Sequence, residues 1–338
     1  MKKKILSILC FITLACLSVF GLSACGEVDN EDQAVFTVEN GVITGLTDYG
    51  KTLTEIVIPE SIDGVAITTI GDFAFNQMTS VTSITIPNTV TKINWYAFCG
   101  CSSLTSIEIP SGVTSIGDFA FTGCDSLNSI VLPKSVVSIG NSAFSSIREI
   151  TLSNTDTQCG RYPFTDKLNK VNFIGTIDEW AQSSWGKVLS EIQLPYEGYD
   201  LYINGEIVTS INLTKDINSY AFYMCTSITS VTFDKNVVVI GYASFERCSS
   251  LTEIEFCDGK NKGIGEKAFY KCNNLSSIVM STSVKNIESE VFGDCASPIT
   301  INYKGTISDW SKISKHRDWN LDANHIIIKL NSGGVIDE

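Results

Sequence analysis

Leu104-Thr-Ser-Ile107-Glu-Ile109-Pro110-Ser-Gly-Val113-Thr-Ser-Ile116-Gly117-Asp-Phe-Ala120-Phe121-Thr-Gly-Cys124 is one copy of a motif that returns along most of the chain. A step of 23 residues back gives Val81, Ile84, Ile86, Pro87, Val90, Ile93, Ala97, Phe98 and Cys101. The same step forward gives Leu127, Ile130, Leu132, Pro133, Val136, Ile139, Gly140, Ala143 and Phe144. A fixed period of this size defines a solenoid, in which each unit buries its apolar positions only against its neighbours. Within a unit, Leu-x-x-Ile-x-Ile alternates as a half-buried strand, and proline ends it. Val-x-x-Ile is a second, shorter apolar piece. Ala-Phe then turns inward through a single helical turn, with phenylalanine in the middle of the coil. Glycine after the isoleucine (Gly71, Gly117, Gly140, Gly241, Gly265) is expected to supply a turn with positive φ. Such a chain offers a long surface rather than a pocket, which favours binding over catalysis.

Coils begin near Leu53, Val81, Leu104, Leu127, Ile147 and Leu168, and again near Ile211, Ile228, Leu251, Leu275 and Ile299. The first is lengthened by Ile62-Asp-Gly-Val-Ala-Ile-Thr. Two Asn-Gly pairs flanked by alternating runs, Asn40-Gly41 and Asn204-Gly205, are hairpin signals. Each is placed to cover the open end of an array. The segment Val171-Asn-Phe173-Ile-Gly175-Thr176-Ile177-Asp-Glu-Trp180 returns as Ile301-Asn-Tyr303-Lys-Gly305-Thr306-Ile307-Ser-Asp-Trp310 and closes each array. The chain therefore divides into a leader (1–24), an acidic tether (25–34), a first array (35–199) and a second (200–338). Irregular stretches at 145–162 and 198–216 leave open whether the two arrays stack continuously.

The leader has Lys2, Lys3 and Lys4 before an apolar stretch from Ile5 to Leu22. Leu22-Ser23-Ala24-Cys25 resembles a lipobox, so Cys25 is expected to become the lipidated N-terminus of an exported protein. A plain membrane anchor is the alternative. The net charge of −13 includes those three lysines; the remainder holds 21 basic and 37 acidic groups, or −16. Neither nucleic acid nor an anionic membrane surface attracts such a chain, which leaves the N-terminal lipid as its membrane contact.

The combined Ile-Pro, Ile-Gly, Ala-Phe and Cys positions resemble the BspA-like (Treponema-type) bacterial leucine-rich repeats, over roughly residues 35–330. The resemblance implies a right-handed leucine-rich-repeat superhelix of parallel strands, displayed at the bacterial cell surface for attachment or recognition. It carries over no binding residue.

Catalytic chemistry is sparse. His316 and His325 are the two histidines, with Asp318 and Asp322 nearby; a solvated polar edge explains them better than a metal site. Gly259-Lys-Asn-Lys-Gly263 lacks the ending of a phosphate loop and reads as an insertion. Glu253 and Glu255 flank Ile254 and project together, as glycosidase carboxylates would, but a wet sheet face gives neither a reason to keep its proton. Cys101 and Cys124, and Cys225, Cys248, Cys272 and Cys295, recur at one coil position, where a small buried group packs better than a disulfide or zinc ligand forms. Nine thiols follow Cys25, an odd number.

Two surfaces are candidates for a ligand. On the Thr/Ser-rich sheet face, Glu108, Arg148, Glu149, Lys170, Glu253 and Glu255 interrupt the uniform polarity. On another side, Phe73, Tyr96 and Phe119 fall in one column with Trp95 beside it; they either stack on a ligand or pack on the solenoid's own edge. Trp180 and Trp310 are expected to fill the closing segments, whereas Trp185 and Trp319 have no assigned place. The sequence thus points to a lipid-anchored, non-catalytic surface protein with an extracellular protein or glycan partner and no cofactor. A glycoside-acting enzyme, a solute-binding lipoprotein and a passive spacer are the competing readings.

Overall fold

The computed structural model describes residues 34–192, 194 and 198–337; the leader, Cys25 and the tether up to residue 33 lie outside them. Alternating strands and tight turns wind into a solenoid of about twelve coils. Three ladders run along it. The Leu-x-x-Ile-x-Ile strands pair in parallel, as Ser129–Val131, Glu149–Leu152 and Lys170–Phe173 do. The short x-Ile strands form a second parallel ladder, in which Ile70, Ile93, Ile116, Ile139 and Cys159 follow one another. Cys159-Gly160 therefore stands in for Ile-Gly in the irregular fifth coil, and the stack continues through it.

The third ladder is the Ala-Phe turn. Phe75 N–H donates to Ala97 O, Phe98 to Ala120, Phe121 to Ala143 and Phe144 to Pro163. The rings behind these bonds stack 5.2, 5.0, 5.2 and 5.6 Å apart from Phe75 to Phe164. Trp185 continues this column beyond Phe164, and Trp319 ends it beyond Phe292. Trp185 thus supplies a ring where the motif has none, whereas Trp319 stands in register with the motif's alanine, its carbonyl accepting Phe292 N–H at 3.2 Å, and lays its ring edge-on to Phe292. Trp180 and Trp310 are buried in the closing segments, against Phe173 and Tyr303.

The glycines behave differently from expectation. Gly71, Gly117, Gly140, Gly241 and Gly265 do not have positive φ. They are required because a Cβ would strike the preceding coil: 2.6 Å from Ile43 O at Gly71, and 2.3 Å from Asp118 N at Gly140. Left-handed backbone falls instead on the Ala-Phe turn, at Phe73, Tyr96 and Phe119 and at Ala243, Lys267 and Glu290. The single helical turn of the sequence reading is thus a run of tight turns. Among the described residues, α-helices occur as α1 (Ile177–Ala181), α2 (Trp185–Glu191) and α3 (Ile307–Trp310), with a short 3-10 turn at Gly50–Thr52. Thr176 with Glu179, and Thr306 with Asp309, form a capping box on α1 and α3.

The hairpins cap different ladders. Phe36–Glu39 and Val42–Leu46 pair and then join the x-Ile ladder at Ile70. Asp200–Ile203 instead pairs in parallel with Lys170–Phe173, so this hairpin ends the first array's main sheet as well as opening the second array. The junction is bonded throughout. Ala181 O, at the end of α1, accepts Asn218 N–H at 3.0 Å, the role an isoleucine carbonyl plays elsewhere. Trp185 Nε1–H donates to Asn154 O at 2.7 Å, and Thr226 N–H to Tyr199 O at 2.8 Å.

Candidate ligand-recognition surfaces

Strand alternation puts isoleucine, leucine and phenylalanine inward and leaves every second residue of the main sheet outward. Register then decides which outward groups meet. Glu149 and Lys170 are directly paired, and Thr151, Asn172 and Tyr202 form the next outward column. Lys170 Nζ lies 3.0 Å from Glu149 Oε2 and 4.8 Å from the Tyr202 ring centroid. Its hydrogen bond to Glu149 raises the lysine pKa above its ordinary value. Asn172 Oδ1 accepts Gly205 N–H at 2.9 Å and ties the hairpin turn to the sheet. Glu149, Lys170, Asn172 and Tyr202 together line a recess of about 100 Å³.

The other sheet-face candidates stand apart. Glu253 and Glu255 both face outward on Glu253–Phe256, as alternation requires, and Glu255 is 3.5 Å from Lys304 Nζ. Arg148 is exposed at the foot of Glu149–Leu152, and Glu108 is exposed in the third coil. Six residues named from one face therefore belong to three neighbourhoods. Tyr202 and Asn172 were missed, because only the pairing of residues 200–203 with 170–173 reveals that they complete the Lys170 cluster.

The aromatic column is a surface feature. Phe73 and Tyr96 stack at 4.9 Å with planes 4° apart, and Tyr96 and Phe119 at 4.9 Å and 13°. Phe73 is 53% exposed and Trp95 58%, while Tyr96 and Phe119 are half-buried. The rings stack on one another along the surface. In the second array the equivalent positions carry Tyr220, edge-on to Tyr223 and Tyr242, then Ala243, then Lys267 and Glu290, 3.7 Å apart; one turn further, Lys271 and Asp294 lie 3.2 Å apart.

The ladder cysteines are buried and hydrogen-bonded. Sγ–H donates to the preceding coil's phenylalanine carbonyl from Cys101, Cys124, Cys248 and Cys272, each at 3.1 Å, and from Cys295 at 3.4 Å. Burial pushes the Cys225 thiol up to about 11 and that of Cys295 up to about 12, and holds Cys248 and Cys272 well above the ordinary range. All nine cysteines among the described residues are free. Among those residues no three His, Cys, Asp or Glu side chains come together to hold a metal. His316 sits 3.9 Å from Asp318 and His325 3.5 Å from Asp337. Among the described residues, no helix is long and apolar enough to cross a membrane.

With this geometry in place, the family is clear. The BspA type leucine-rich-repeat region matches residues 68–188 and 202–316 in six copies, and the chain belongs to that family. It is a repeat family rather than a catalytic one. Among solved structures, a leucine-rich-repeat protein of Bacteroides ovatus is 25% identical over 81% of this chain and 86% of its own, with a TM-score of 0.40. A Treponema pallidum leucine-rich-repeat protein is 24% identical over 69% of this chain and 82% of its own, TM-score 0.31. A leucine-rich cell surface protein of Faecalibacterium prausnitzii is 20% identical over 84% of this chain and 98% of its own, TM-score 0.31. No curated protein matches the sequence.

Proposed function

We propose that this chain is a non-catalytic recognition protein, exported, held at the membrane by a lipid on Cys25, and presenting its main sheet to an extracellular protein or glycan. The observation that carries this reading is the Lys170 cluster. Its ammonium is held between Glu149 and Tyr202 on a face rich in threonine and serine. A group held in place before binding loses less side-chain entropy when a ligand arrives. A passive spacer gives no reason for such a cluster. The glycosidase alternative draws on Glu253 and Glu255, yet Glu255 serves as an ion-pair partner of Lys304.

The test is a glycan array combined with host matrix and mucin pull-down, using residues 26–338. Once a ligand is in hand, Glu149→Ala with Lys170→Ala should weaken it about tenfold, ~1.4 kcal/mol, with the Tm nearly unchanged. Glu253→Ala with Glu255→Ala probes the second neighbourhood. If both doubles bind normally while Tyr96→Ala abolishes binding, the sheet-face reading is wrong and the aromatic column replaces it. Anchoring has its own check: Cys25→Ser should release the protein or leave the precursor uncut, and unchanged processing with membrane retention would refute the lipid assignment.

A further inference from the structure

One column of the first array is a ladder of side-chain acceptors, and it is broken at a single residue. Trp95 N–H donates to Asp72 Oδ1 at 3.2 Å, and Asn141 N–H to Asp118 Oδ1 at 2.7 Å. Arg161 N–H continues the series by donating to Asn141 Oδ1 at 2.7 Å. Trp95 occupies the step between Asp72 and Asp118, and an indole has no acceptor to offer. The N–H of Asp118 accordingly has no protein acceptor among the described contacts. A tryptophan here costs a ladder bond and exposes a large ring, and neither helps the solenoid fold.

The indole stands at the rim of a shallow groove of about 410 Å³. Its floor is bare backbone, because side chains are excluded at Gly117 and Gly140 by the coil beneath. Trp95 lies over the first of these: a Cβ on Gly117 would come within 2.9 Å of its Cδ1. Asp72 and Asp118, one coil to either side of Trp95, line the groove, as do Ser115 and Ser138. Asn141 orients Asp118 with two hydrogen bonds, at 2.7 and 2.9 Å, that leave further lone pairs open. Lys92 pairs in register with Ser115 but does not line the groove.

We propose that this groove binds a neutral hexopyranose unit of a glycan. A pyranose has one face of C–H groups, which suits an exposed indole, and a rim of hydroxyls that both donate and accept. The carboxylates of Asp72 and Asp118 accept from those hydroxyls, and the Asp118 N–H donates to one of them. The same carboxylates repel sugars bearing uronate or sialate groups. The site lies off the main sheet and does not depend on the Lys170 cluster.

The five tryptophans provide the readout, since Trp180, Trp185, Trp310 and Trp319 are buried and Trp95 is exposed. Acrylamide quenching of the mature chain therefore reports on Trp95. Neutral disaccharides (maltose, cellobiose, lactose, chitobiose) at millimolar concentration should protect it, and glucuronate- or sialate-bearing sugars should be at least tenfold weaker. Saturation-transfer NMR on variants should show the contact abolished in Trp95→Ala and weakened about tenfold in Asp118→Asn, the loss of one charge-assisted hydrogen bond. Glu149→Ala with Lys170→Ala should leave both signals intact, which separates this site from the sheet-face reading. The proposal is overturned if no neutral disaccharide protects Trp95, if acidic sugars or oligolysine protect it as well or better, or if sugar contact survives Trp95→Ala in a folded protein.

Discussion

Position for position, the left-handed corner of the coil holds Phe73, Tyr96, Phe119 and Ser142 in the first array, with φ of 58°, 54°, 57° and 47°, and Tyr220, Ala243, Lys267 and Glu290 in the second, with φ of 63°, 50°, 58° and 53°. The backbone is the same and the chemistry is not. Three stacked rings in one array become an ion pair in the other. This conformation costs a non-glycine residue about 1–2 kcal/mol, so glycine would be the cheap solution. The ladder bonds hold the corner instead: Tyr96 N–H donates to Asp118 O at 3.0 Å, and Lys267 N–H to Ser289 O at 3.0 Å. Because inter-coil bonding fixes the turn, the side chain projecting from it is released for surface chemistry.

If the two arrays share a core and differ only at that surface, core truncation should hurt both alike. Phe98→Ala and Phe245→Ala are each expected to cost about 3–5 kcal/mol in denaturant unfolding, the usual loss for a buried phenylalanine. A large difference between them would break the comparison. The corner itself should respond unequally. Tyr96→Gly relieves about 1 kcal/mol of backbone strain but removes two ring contacts worth about 0.5–1.5 kcal/mol each, with their buried area, so stability should fall. Lys267→Gly relieves the same strain but gives up a partly exposed ion pair of about 0–1 kcal/mol and a cation–π contact with the Tyr270 ring of about 0.5–1 kcal/mol, so stability should stay nearly unchanged. Equal losses in both would show that the corner side chains are structural.

How far the letters led is clearest at the glycines. Their positions were legible, but the reason was not: positive φ was expected at Gly117 and Gly140, whereas the coil below simply leaves no room for a Cβ. A propensity rule sees one residue at a time, and close approach between residues 23 apart is invisible to it. Alternation likewise placed Glu149 and Lys170 on one face correctly. It did not bring Tyr202 to them, because that contact waits on a chain that leaves the ladder at residue 174, forms α1 and α2, and returns at residue 200. The capping boxes at Thr176 and Thr306 were readable in the sequence, three residues ahead of an acid, and were overlooked.

The smallest expected effect sharpens the comparison through the cysteines, which are more numerous in the second array's ladder. Cys248→Ala should cost on the order of 1 kcal/mol, removing a small buried group and one weak hydrogen bond. Thiol counting on denatured, unreduced protein should return all nine; few free thiols, or stoichiometric zinc, would overturn the packing account. Burial raises the pKa of the Cys225, Cys248, Cys272 and Cys295 thiols in the fold above an unfolded value near 8.5, so the folded chain binds the proton more tightly. Stability should therefore be level below about pH 8.5 and fall as pH climbs through the window up to about 11, the value for Cys225. The loss should be diminished in a Cys225→Ala, Cys248→Ala, Cys272→Ala variant, read as the pH dependence of its unfolding midpoint.

The repeated close approach of each glycine to the coil beneath it also sets how such a gene can change. A coil has to return to the same rung, so losing one residue inside a strand throws every later side chain to the wrong face. Length varies instead where the chain steps off the ladder, at the small hairpin of Ser61–Ile62 and Val65–Ala66 and at the loop around Gly259. Adding or removing a whole unit of 23 codons, by contrast, leaves each remaining coil with a neighbour of the same shape. Unequal recombination between units of one period is then a route by which a lineage lengthens, shortens or reshuffles the exposed corners while the core stays intact.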